Sequence, residues 1–102
     1  MTLTCTHLDD GCELVPEGAM TIMEAAELRD QLALALVTAH GRVRVDLSRI
    51  TELDSCGLQL LLALVREGTQ VQLHSPSAAA RDRIVRFGLA ATLRLEGASH
   101  GA

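Results

Sequence analysis

The sequence predicts an α/β fold, a small sheet opened by a β-hairpin with helical crossovers packed mainly on one face. Three observations lead there. Thr2–His7 alternates small polar with apolar or ring residues and meets Cys12–Val15 across an Asp9-Asp10-Gly11 turn, which is a hairpin signal. Arg42–Leu47 and Gln70–His74 carry apolar residues at period two, as strands with one buried face do. Between and after them stand runs with helical spacing, so the order is strand, strand, helix, strand, helix, strand, helix. Strands joined through helices are parallel. With 102 residues, no internal repeat and no linker, the chain is expected to be one domain (1–102), its core over about 3–96 and a frayed tail over 97–102.

Pro16 cannot donate to a ladder and is expected where the second strand is unpaired or ending, with Gly18 at a bend beyond it. Thr21-Ile22-Met23-Glu24 fits a capping box, and Ala25, Leu28, Leu32, Ala35 and Leu36 then recur at helical spacing until Gly41. A second helix follows Asp54 and runs through Leu58–Arg66. Ser75-Pro76 reads as an N-cap and first-turn proline opening a third helix with Ile84, Val85 and Phe87, ended by Gly88. Leu89–Leu95 is expected as a short strand or a packed tail.

Composition removes several function classes. A net charge of -4 gives no basic field for nucleic acid or anionic membranes. All nine basic residues are arginine, so neither a Walker A lysine nor Schiff-base chemistry is possible, and Asp46 at a strand end lacks the lysine that phosphoaccepting receivers use. Cys5, Cys12 and Cys56 are an odd number without an apolar leader segment, which reads as reduced thiols in the cytoplasm. The apolar stretch Leu58–Val65 is far short of the roughly 20 residues of a membrane span. His7, His40, His74 and His100 are scattered without metal-ligand spacing, so no metal, cofactor or catalytic dyad is assigned.

The chemistry concentrates in Asp54-Ser55-Cys56-Gly57, between a strand and a leucine-rich helix. A serine at a helix N-terminus sits by unpaired N–H groups and the positive end of the dipole, where a negative group such as a phosphate is tolerated. The plainer reading makes Ser55 the helix N-cap, worth about 1 kcal/mol. Cys56 could have a lowered pKa there or be a small buried residue, and Gly57 permits close backbone approach. Asp54 could accept backbone hydrogen bonds or sit by the dipole as a bystander. Leu58, Leu61, Leu62 and Val65 share one helix face, while Leu60 and Leu64 fall on another. Either neighbouring helices cover that pair, or it forms an apolar patch beside Ser55 that docks a partner or a second copy. Arg81, Asp82, Arg83 and Arg86 read as a solvated face or a docking rim.

Asp46-Leu47-Ser48 at a strand end, Asp54-Ser55-Cys56-Gly57-Leu58 opening a helix, and Gly18-Ala19-Met20-Thr21-Ile22 before the first helix resemble the STAS domain family of sulfate transporters and anti-sigma factor antagonists. The likeness spans roughly Gly11–Glu96. It implies a STAS-like sheet and a non-enzymatic, bacterial, cytoplasmic regulatory protein. In the anti-sigma antagonist branch the residue matching Ser55 is phosphorylated by the cognate kinase, which blocks partner binding. Ala19-Met20 and Thr21 depart from that branch, and Asp-Ser-Cys-Gly-Leu-Gln-Leu-Leu-Leu is similar to STAS proteins encoded with chemotaxis genes or to the accessory subunit of phospholipid-transport ATPases.

The resemblance implies a protein partner, an anti-sigma factor serine kinase or a signalling scaffold, docking on Asp54, Ser55, Cys56, Gly57, Leu58, Leu60 and Leu64. The alternative is constitutive attachment to a transport ATPase. A homodimer is also compatible.

Overall fold

The computed structural model describes residues 2–38, 41–67 and 70–95. Its element order is β1 (Thr2–Leu8), β2 (Gly11–Met20), α1 (Ile22–Thr38), β3 (Arg42–Asp46), β4 (Ile50–Leu53), α2 (Ser55–Glu67), β5 (Val71–His74) and α3 (Ala78–Arg86). The frayed tail expected from Gly97, and His40 and His100, lie outside the described residues.

The hairpin forms as the Asp9-Asp10-Gly11 turn demands, with β1 and β2 antiparallel from Leu8↔Gly11 back to Thr2↔Glu17. Strand order is β1-β2-β3-β5, with β4 on the far half of β2. The pairs β2–β3, β3–β5 and β2–β4 are all parallel, as helical crossovers require. Alternation then assigns the faces. Cys12, Leu14, Val43, Val45, Val71 and Leu73 point into the core beneath α1 and α2, and Glu13, Arg44, Asp46, Gln72 and His74 stand half-buried on the other face.

Three expectations change, and one left open between two alternatives is decided. β4 was not foreseen: its pattern is buried, exposed, exposed, buried, so Ile50 and Leu53 enter the core without the alternation that marks a strand. Of the two places expected for Pro16, an unpaired point or the end of the strand, the structure takes the first, and β2 runs on to Met20. Pro16 falls in the gap between two ladders, after Leu14↔Val45 and before Gly18↔Ile50, where a missing N–H costs nothing on that side. The third helix begins at Ala78 rather than Pro76, and its cap is Ser77, whose hydroxyl accepts from the Ala80 N–H at 3.1 Å. Ser75 instead turns the chain with φ 53°. Phe87 is the C-cap of α3 and half-exposed, while Ile84 carries the helix into the core. Gly88 follows at φ 67°, the left-handed position that favours glycine.

Leu89–Leu95 is a packed tail of turns, with Leu93 and Leu95 buried. It spans from one sheet face to the other at the β5 side. The Gln72 amide on the open face donates to the Arg94 carbonyl at 2.8 Å, and the Arg94 guanidinium donates to the Val65 carbonyl of α2 at 3.3 Å.

Candidate functional site

The carboxyl ends of β2, β3, β4 and β5 lie toward one end of the sheet, where chain reversals into helices place the chemistry-bearing loops. The Asp54 loop is built there by backbone economy. β4 ends at Leu53, α2 starts at Ser55, and Asp54 between them is the N-cap position. Its Oδ1 accepts the Gly57 N–H at 3.0 Å, and its carbonyl accepts the Leu58 N–H at 3.0 Å. Its Oδ2 accepts the Ile22 N–H at 2.9 Å, so one carboxylate caps the starts of two helices. The Gly57 N–H, with help from Ile22 and Cys56, holds the Asp54 carboxyl below its ordinary value against a smaller opposing effect of burial.

This overturns the reading of Ser55 as the cap. Ser55 is the first residue of α2, exposed, and its hydroxyl makes no hydrogen bond to the described residues. Cys56 is half-buried. Gly57 is buried where the helix start crosses the end of β2. A Cβ there would fall on the Met20 carbonyl oxygen and within 2.6 Å of Leu53 Cδ1, so the close approach read from the sequence has named partners.

Leu58, Leu60 and Leu64 are buried, at 2%, 8% and 4% exposure, so the apolar patch expected from Leu60 and Leu64 is covered within the chain. α1 packs against α2. Leu60 and Leu64 line a shallow cleft of about 580 Å³ with Leu32, Leu36, Val43 and Val71, at the C-terminal halves of the two helices and away from Ser55. The apolar residues that do face solvent beside the loop are Ile22 and Met23, 67% and 87% exposed, on the turn of α1 that Asp54 caps. They stood in the sequence at positions 22 and 23, outside the periodic set of α1, which was the available signal.

A second cluster lies on the open sheet face. His74 reaches across β3 from β5, its Nε2 2.7 Å from Glu13 Oε1 on β2 and its Nδ1 2.8 Å from the Ser75 hydroxyl. Asp46 on β3 accepts the Ser48 N–H at 2.8 Å, which explains the Asp-Leu-Ser run as a turn closed by its own carboxylate. Burial pushes the Asp46 carboxyl up, but the Ser48 hydrogen bonds, with His74 and Arg49 nearby, outweigh it and hold it below its ordinary value. Glu13, Asp46 and His74 each bring a possible ligand atom within 4.8 Å of the others, a grouping that spacing along the chain did not reveal. The His74–Glu13 contact ties β5 to β2 across β3, while Asp46 is held by Ser48 and the second His74 nitrogen by Ser75.

Comparison with known proteins places this geometry. Residues 5–96 match the family model described as "Mlab, STAS domain". The chain belongs to the STAS domain family. Its fold is that of the solved structure of the anti-sigma factor antagonist SpoIIAA in its unphosphorylated form, with a TM-score of 0.69 at 18% identity, covering 86% of this chain and 82% of that one. Among curated proteins the chain has no match. No helix among the described residues is long and apolar enough to cross a membrane.

Proposed function

We propose that this STAS domain is a non-enzymatic regulatory protein of the anti-sigma factor antagonist type, binding a protein partner through the Asp54–Cys56 loop and the adjoining head of α1. Phosphorylation of Ser55 weakens that contact. The observation that carries this reading is the division of labour at the loop. Asp54 takes the capping hydrogen bonds of both helices, and Ser55 is left exposed with an uncommitted hydroxyl. A hydroxyl without a structural duty can be modified without unfolding its surroundings.

A phosphate there adds roughly -1.5 to -2 charge beside the Asp54 carboxylate, and the α2 N-terminus offsets part of its cost within the domain. An apolar or acidic partner surface would supply nothing to offset it. A contact seated on Ile22 and Met23 would have to desolvate the new charge, so one modification switches a moderate interface off. The kinase is a partner enzyme, since the chain holds neither a lysine nor a nucleotide-binding motif.

A second reading has the domain bound permanently as an accessory subunit of a transport ATPase, with Ser55 unmodified. It is favoured by the same capping geometry, because Asp54 by itself supplies the side-chain caps of both helices and leaves Ser55 no required part in the loop.

The deciding experiment is capture of the tagged chain from its host, with mass spectrometry of the partners and of the Ser55 peptide. A serine kinase or signalling scaffold together with phosphate on Ser55 supports the switch, as does partner binding that survives Ser55→Ala and is lost with Ser55→Asp. A co-purifying transport ATPase with unmodified Ser55, and equal binding by both variants, overturns it in favour of the subunit.

A further inference from the structure

We propose that β1 is a self-association edge, through which two copies of this chain pair antiparallel to make one continuous sheet. Among the described residues β1 pairs with β2 alone, and its other edge presents unpaired backbone N–H and C=O groups. Protein sheets usually guard such an edge with charge, proline, a bulge or brevity. β1 has none of these. Its seven residues, Thr-Leu-Thr-Cys-Thr-His-Leu, hold no Asp, Glu, Lys, Arg or Pro, and its ladder with β2 runs from Thr2 to Leu8 without a break in register. The opposite edge of the sheet is treated differently, with the Leu89–Leu95 tail packed across β5.

The occupant that fits is a second β1. A foreign strand is selected by charges along the edge, and β1 carries no Asp, Glu, Lys or Arg to select one. Its own copy is selected by symmetry. A two-fold axis through Cys5 sets Thr2 against Leu8, Leu3 against His7 and Thr4 against Thr6 of the second copy, so all seven residues lie in the ladder. Threonine pairs directly opposite one another are favourable cross-strand neighbours. Of the acidic groups nearest β1, Asp9 and Asp10 beyond Leu8 and Glu17 across from Thr2 fall at the two ends of that ladder, and Glu13, across from Thr6, is held by His74. Sliding the register either shortens the ladder or draws Asp9 and Asp10 into it, so the axis at Cys5 is the favoured one.

Thr4 and Thr6 are exposed, and they point to the sheet face away from α1 and α2, opposite Val15 and Glu13 of β2. They can therefore be recharged without entering the core. The test is analytical ultracentrifugation over a concentration series on wild type, T4K/T6K and T4E/T6K, with circular dichroism and thermal melts confirming that each is folded.

The wild-type chain is expected to dimerise. T4K/T6K sets ammonium groups opposite one another at two places across the axis and raises the dimer dissociation constant by roughly tenfold or more. T4E/T6K sets the introduced carboxylate at position 4 against the introduced ammonium at position 6 of the second copy and restores the dimer. A wild-type chain that stays monomeric overturns the proposal, whether the edge remains open or is taken by another protein's strand. So does a dimer that is indifferent to T4K/T6K, or equal weakening by both variants, which would place the contact elsewhere or in another register. These outcomes are independent of phosphorylation at Ser55.

Discussion

The carboxylate of Asp54 accepts the Ile22 N–H at 2.9 Å while its other oxygen accepts the Gly57 N–H at 3.0 Å, so two helices separated by two strands in the chain begin at a single side chain. Removing it should cost the sum of two caps. Asp54→Ala is expected to lower stability by about 1–2 kcal/mol or more, each cap being worth about 1. Asp54→Asn keeps one amide oxygen and should lose less. Urea unfolding of the three proteins checks the order.

Acid sensitivity follows from the same group and from Asp46. Both carboxyls are held below their ordinary value of 3.8 in the folded chain, so folding favours their deprotonated forms. That contribution is fully present well above 3.8 and is lost as the pH falls through the lowered folded values. Urea midpoints measured from neutral pH down to about pH 2 should decline below the ordinary carboxylate range. The decline should be shallower in Asp54→Ala.

Gly57→Ala is expected to destabilise despite alanine's better helix propensity. The added methyl collides with the Met20 carbonyl and Leu53, and overpacking of this kind costs typically about 1–3 kcal/mol against a propensity gain of at most about 1. A thermal melt showing Gly57→Ala equal to or above wild type would mean that β2 and α2 can move apart at no cost.

The docking surface is expected at Ile22 and Met23 and not at the buried leucines. Ile22→Ser with Met23→Ser should leave stability within about 0.5 kcal/mol of wild type, both side chains being exposed. Its affinity for the captured partner should fall roughly tenfold or more, as truncation of anchor residues does. Leu60→Ala should do the reverse, costing about 2–5 kcal/mol of stability through a core cavity. Calorimetric titration paired with urea melts separates the two.

Much of the fold was legible because its signals are local. The hairpin turn at Asp9-Asp10-Gly11, the period-two runs at Val43 and Val71, and the glycine after α3 each act within a few residues. β4 was not, because four residues with two outward positions leave no alternation to detect, and its pairing to β2 is a non-local fact. Ser75 and Ser77 compete for one cap, and the turn at Ser75 decides between them.

The candidate loop was found by its motif, yet the roles inside it were not. Whether Asp54 or Ser55 caps α2 depends on where the α1 head lies, 32 residues away in the chain. The fate of Leu60 and Leu64 likewise turns on α1. Helical periodicity shows which leucines share a face but not what covers that face. His74 met Glu13 for the same reason, since a ladder of three parallel strands brings together residues whose spacing along the chain carries no trace of it.

The packed tail over β5 sets a limit as well as a contact. Seven residues after α3, bound at Gln72 and Val65, occupy the side on which another strand would otherwise be added. Growth of the sheet by accretion therefore has a stop built into each subunit. Chains that meet edge to edge through β1 form a closed pair and not a fibre, and a truncation that removed Leu93–Leu95 would expose the route to aggregation that the intact chain denies.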